Sequence, residues 1–176
     1  MSGRAPFKVG VTHTIWERER MSLKATTIAQ VLRGAGYSTG IFGKWHLGDE
    51  DEYQPHNRGF EETFIHGGSG IGMSFSGSQA DAPGSKYFDP IVKHNNVFVQ
   101  TKGYCTDVFF RQALGWVKEC KDKGERFFAY IPTNAPHGPF IVDKKYQAMY
   151  KGKFPDAPRW LGPDRAAAFF GMITNI

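Results

Sequence analysis

The chain has 176 residues, 40% of them hydrophobic and 15% aromatic, with 15 Phe in all. That composition excludes a disordered chain, and the length suffices for a domain with a sizeable core. The formal net charge of +5, from 22 Lys and Arg against 17 Asp and Glu, favours anionic partners only weakly. The basic residues are scattered ("RER" at 18–20, "KDKGER" at 121–126), which excludes a nucleic-acid-binding stripe, and no apolar run reaches membrane-spanning length.

The opening "MSGRAPFKVGVTHTI" carries neither a signal-peptide pattern nor an initial strand. In "TTIAQVLRGAG" (26–36), Ile28, Val31 and Leu32 recur at the spacing of one helical face. Thr26 or Thr27 can cap that helix, and Gly34 and Gly36 are candidates for its left-handed stop. "YSTGIF" (37–42) then reads as a short buried strand, with "GKWHLGD" at its exit. Residues two apart on an extended chain share a side, so Lys44 and His46 project together while Trp45 turns into packing. An ammonium and an imidazole aimed at one spot make an anion-binding pair with a titratable member. Two solvated loop residues are the plainer alternative.

The acids of "GDEDE" (48–52) read as a solvated turn rather than a metal site. From about 49 to 104 the chain is polar and Gly-rich, including "HGGSGIGMSFSGSQADAPGS". A flexible surface loop is the expectation there, with a substrate-facing loop as the lesser alternative. After Gly68 and Gly70, Met73 stands where a dinucleotide fingerprint needs glycine, and no phosphate-binding Walker motif exists.

"CTDVFFRQALGWVKECKDKG" (105–124) reads as one amphipathic helix with Val108, Phe109, Leu114, Trp116 and Val117 as its apolar positions. On it, Cys105 and Cys120 lie roughly 22 Å apart along the axis, too far to form a disulfide. In "RFFAYIPTNAPHGPF" (126–140), "FFAYI" is a second buried strand that ends at Pro132. Two helix-to-strand units predict an α/β fold with a parallel sheet, whose sites gather at the carboxyl ends of its strands. His137 follows the second strand as Lys44 and His46 follow the first, and Pro136 and Pro139 stiffen its loop. The last segment, "GPDRAAAFFGMITNI", carries an apolar helical stripe of Ala166, Phe169, Phe170 and Ile173, and it stops mid-pattern. Both ends therefore read as cut.

"GYSTGIFGKWHLGD" (36–49) resembles the second signature of the type I, formylglycine-dependent sulfatases. "SGRAPFKVGVTHTI" resembles the stretch after their nucleophile motif, "YQPHNRGFEETF" the segment after the second signature, and "PTNAPHGPF" their later histidine loop. "FFGMITNI" resembles the start of the helix before their second metal-ligand pair. The resemblance implies an alkaline-phosphatase-like α/β sandwich, a mostly parallel sheet flanked by helices. It also implies hydrolysis of sulfate esters, using a calcium ion and a formylglycine. By the same resemblance Lys44 binds sulfate and holds the aldehyde hydrate. His46 hydrogen-bonds that hydrate and acts as the base that expels sulfate, and His137 contacts sulfate or protonates the leaving oxygen.

The departures are equally specific. The family's C/S-x-P/A-x-R nucleophile string is missing, since "TDVF" follows Cys105 and "KDKG" follows Cys120. Its paired aspartates, its later Asp-Asn pair and its second lysine are missing too. Residues 1–176 are thus expected to be a central fragment of a catalytic domain, inactive alone and holding neither calcium nor formylglycine. The expected partner is a small sulfate ester or a sulfated glycan, with substrate choice in 66–104 and the compartment open (periplasmic or secreted for the parent). A phosphodiesterase or phosphonate hydrolase of the same superfamily, and a non-catalytic anion- or glycan-binding protein, are the alternatives.

Overall fold

A computed structural model describes residues 1–15 and 17–176. Five strands form one sheet in the order β4-β3-β2-β1-β5. They are β1 (Ser38–Lys44), β2 (Glu62–His66), β3 (Ile91–His94), β4 (Val97–Gln100) and β5 (Phe127–Tyr130). β1 runs parallel to both β2 and β5, whereas β2–β3 and β3–β4 are antiparallel. The sheet is therefore mixed, and the expectation of a mostly parallel one holds only for its β2-β1-β5 half. Three of these strands, β2, β3 and β4, lie inside 49–104, where the composition predicts loop.

Period-two alternation sorts the faces. Phe42 and Phe64, paired in register, join Phe109 and Val108 of α2 (Cys105–Asp122) in one core cluster. Ile41, Ile65 and Trp45 point the other way, into a second cluster with Ala29 and Phe60. Ala29 belongs to α1 (Ile28–Gly34), whose start is closed by a capping box between Thr27 and Gln30. The Thr27 hydroxyl also donates to the Arg58 carbonyl (2.7 Å), and Arg58 donates to the Ala25 carbonyl (2.7 Å). Those bonds turn the small Ala29 side of α1 inward. Ile28 (47% exposed) and Val31 (59%) are left outside, so the expected apolar face is not the buried one.

In α2 the expected positions Val108 and Phe109 are buried, but Leu114 is exposed and Ala113 takes its place inside. Both cysteines are buried free thiols. The short α3 (Lys144–Ala148) packs on α4 (Pro163–Asn175), whose buried line is Ala166, Ala167, Ala168, Gly171 and Met172. Of the expected stripe only Ala166 is buried. Phe170 stacks on Phe154 (4.5 Å) beside Tyr150, Phe169 meets Phe140 edge-on, and Ile173 is exposed.

Candidate active site

The exit of β1 is held from both sides. The Lys44 amide donates to the Pro132 carbonyl (2.7 Å), just past β5, and the Trp45 amide donates to the His66 carbonyl (2.8 Å), at the end of β2. Gly43 makes the first bond possible. Its φ is +135°, and a Cβ there would lie 2.2 Å from the Pro132 oxygen. Three carboxyl ends are thereby drawn to one edge, where an α/β sheet gathers its chemistry.

Lys44 continues the side of Phe42 that faces α2, and Trp45 turns to the opposite core, where it is 2% exposed. The Trp45 indole N–H donates to the Tyr53 carbonyl (3.0 Å). Burial alone lowers the pKa of the Lys44 ammonium, and among the described residues it forms no ion pair.

His46 is half-buried, its Nε2 2.9 Å from the Thr14 carbonyl oxygen. A carbonyl only accepts, so Nε2 carries the proton and Nδ1 is the basic nitrogen. Burial first, then the neighbouring Lys44 charge and His137, push the His46 pKa down, with the Thr14 bond opposing. Gly68 gives the ring its room, because a Cβ there would come within 2.9 Å of the imidazole.

His137 is exposed on the loop after β5, its Nδ1 2.6 Å from the Gly138 carbonyl. That contact makes Nδ1 the donor and leaves Nε2 turned away from the backbone bond. Its amide donates to the Asn134 carbonyl (2.9 Å). The buried Tyr87 hydroxyl donates to the His137 and Gly138 carbonyls (3.1 and 3.2 Å).

A fourth group went unnoticed in the sequence. His66 pairs with Lys44 in the parallel β1–β2 register, is wholly buried, and stacks on Phe109 (5.8 Å, 27°). Burial, then Lys44, His46 and His137 in that order, push its pKa down to about 3. The structure thus brings Lys44, His46 and His137 within electrostatic reach of a neutral His66, and Lys44 and His137 within reach of His46.

Beside this group opens a cleft of about 240 Å³. It is walled by His46, Gly68 and Ser69 on one side and by Ile15, Met73 and Phe75 on another. Lys44 and His137 do not line it. Glu19, buried and with its pKa raised chiefly by burial, also borders it.

The acidic turn is solvated as expected at Asp51 and Glu52, but not at Asp49. The buried Asp49 carboxylate accepts from the Ser78 hydroxyl (2.6 Å) and the Gln79 and Ala80 amides (2.7 and 3.1 Å). Glu50 is paired with Arg20, and Asp51 takes the Asn57 amide. These acids tie the 66–85 loop and the N-terminal segment to the strand exit. Among the described residues no three His, Cys, Asp or Glu are grouped so as to hold a metal ion.

A sulfatase family model matches residues 1–175. The chain belongs to the sulfatase family. An uncharacterized sulfatase of Schizosaccharomyces pombe is 31% identical over 150 residues, covering 82% of this chain and 27% of the relative. Arylsulfatase G of Canis lupus familiaris is 41% identical over 86 residues, covering 48% of this chain and 15% of the relative. This sulfatase chain spans about a quarter or less of the length of those two. The crystal structure of Ps i-CgsB superposes with a TM-score of 0.75 at 26% identity, covering 98% of this chain and 39% of that one. BT4656, solved in complex with its substrate D-glucosamine-2-N,6-O-disulfate, superposes at 0.64 with 25% identity, covering 91% and 28%. The fold is accordingly alkaline-phosphatase-like.

One consequence of the buried imidazole is measurable in the sulfatase chain itself. His66 takes a proton near pH 6.5 when unfolded and only at about 3 when folded. Its contribution to stability is therefore complete above about pH 6.5 and is lost progressively toward pH 3. Asp81, whose pKa burial raises to about 6, acts oppositely and is common to both proteins compared. Urea melts at about pH 7 and about pH 4.5 should show a smaller acid loss in His66→Phe than in wild type. Equal losses would mean that the ring is protonated in the folded state at no cost.

Proposed function

We propose that this chain carries the sulfate-handling side of the active site of an enzyme that hydrolyses sulfate esters. The observation that carries the reading is a half-buried lysine ammonium with no acidic partner among the described residues, within electrostatic reach of the His46 and His66 imidazoles at the carboxyl edge of the sheet, with His137 in turn near both rings. Such a basin selects a compact anion and offers titratable nitrogens beside it. Lys44 places its charge on the non-bridging sulfate oxygens and holds the group while the bridging S–O bond breaks and negative charge builds on the departing oxygen. His137, the accessible imidazole, donates a proton to the departing oxygen, and His46 holds a basic Nδ1 at the opposite side. The cleft beside His46 has room for the alcohol part of the ester, a small aryl or single sugar ring.

Calcium and formylglycine do not fit the residues of this chain. Asp49 is committed to three donors, and no metal-holding group exists among the described residues. Cys105 is buried, its thiol pushed up to about 12, and Cys120 is buried on the same helix. In this proposal the nucleophile and any metal ligands belong to other parts of a longer parent protein.

The test compares the 176-residue chain with such a parent on an aryl sulfate and on the corresponding phosphate diester. The chain alone should show no turnover, because losing the nucleophile costs many orders of magnitude. The parent should prefer the sulfate. Turnover by the chain alone would overturn the division of labour, and a parent preferring the phosphodiester would overturn the substrate class.

A further inference from the structure

His66 is chemically incomplete in its surroundings. Both ring nitrogens are buried and neither has a hydrogen-bond partner. A buried polar group left in that state carries an uncompensated desolvation cost, so an imidazole with two such atoms is retained for a reason. Stacking on Phe109 does not supply it, since a phenyl ring would stack as well. Its register partner on β1 is Lys44, whose three N–H groups have no carboxylate to satisfy them among the described residues.

We propose that His66 is the positioning residue for Lys44: its neutral ring accepts a hydrogen bond from the ammonium and aims the remaining N–H groups at the bound anion. The inference rests on the anion-basin reading above. Lys44 and His66 are register partners on adjacent parallel strands, and the lysine stem has four rotatable carbons through which Nζ can reach the ring.

The choice of an imidazole follows from charge. A carboxylate in this place would fix Lys44 equally well but would cancel the charge the anion needs. A neutral acceptor fixes the direction and leaves the charge whole. The groups facing His66 enforce its neutrality, with Lys44 and His46 at the β1 exit, His137 beyond β5, and uncharged Phe109 on α2. No proton can be added to His66 without opposing the same ammonium that it holds.

The experiment follows Lys44 by its side-chain ¹³Cε and ¹⁵Nζ signals in the 176-residue chain, with and without inorganic sulfate. His66→Phe keeps the stack and removes the lone pair, and His66→Gln restores an acceptor. Without sulfate, the midpoint of Lys44 deprotonation should fall by about one pH unit in His66→Phe and recover at least half of that in His66→Gln. In wild type, the unprotonated ring nitrogen of His66 should show a hydrogen-bonded ¹⁵N signal. That reading remains available should either variant fail to fold. A free ring nitrogen in wild type, or an unchanged Lys44 midpoint in a folded His66→Phe, would overturn the inference. Sulfate addition tests the other reading separately. If Lys44 responds to His66 but not to sulfate, the basin is not a sulfate site and the positioning role stands.

Discussion

In a parent enzyme containing this segment, Lys44→Ala is expected to lower kcat by about 10² to 10³ with little change in the melting temperature. Three features set that size. The ammonium is half-buried, so each of its interactions is stronger than in water. No acid neutralises it among the described residues, so its charge is available to the ligand. No aspartate or glutamate acts on His46 or His66 either, and neither ring can replace a permanent cation, since both are held neutral. Stability should hold because the ammonium enters no ion pair. Lys44→Arg should recover only part of the loss, as a planar fork does not reproduce a compact charge at the same point. The measurement is kcat and KM on an aryl sulfate, with Tm alongside. A loss confined to KM would show that the charge binds ground and transition states equally, and undiminished turnover would remove Lys44 from the chemistry.

What was legible in the sequence follows the range over which each feature acts. The opposed directions of Lys44 and Trp45 depend on three consecutive residues, and period two gave them correctly. The placement of His137 at the same sheet edge as Lys44 depends on β5 lying beside β1, which the two helix-to-strand units implied, but the cleft beside His46 is lined by neither Lys44 nor His137. The position of α1 was a different matter. A helical stripe says which residues share a face, but only the Thr27 and Arg58 bonds decide that Ala29 faces the core. The β3–β4 hairpin carries a readable signal within its own ten residues. "IVKHNNVFVQ" alternates around Asn95-Asn96, both with positive φ, which is the turn chemistry of a two-residue hairpin. His66 had none. Its meaning depends on the β1–β2 register with Lys44, across 22 residues, and "ETFIH" ends in a run of glycines that reads as loop.

Gly43→Ala is the substitution expected to damage the fold most, and through it the site. Two costs combine there. A φ of +135° is a conformation that a Cβ resists, and the added carbon would lie 2.2 Å from the Pro132 oxygen and 2.9 Å from its carbonyl carbon. Both obstacles are backbone, so no side-chain rotation relieves them. Relief requires β1 and the segment after β5 to separate, which breaks the Lys44 amide bond to Pro132 and moves Lys44 away from His137. The expected destabilisation is on the order of 3 kcal/mol or more, with loss of sulfate binding. Gly77→Ala is the control. Gly77 also has a positive φ (+89°) but nothing within 4 Å of its would-be Cβ, so it should cost only about 1 kcal/mol. Urea melts of the two variants compare a crowded positive-φ glycine with an open one, so the difference reports the clash together with the more extreme φ of Gly43. Should Gly43→Ala melt within about 1 kcal/mol of Gly77→Ala, the close approach of β1 to Pro132 would not be what holds the Lys44 edge together.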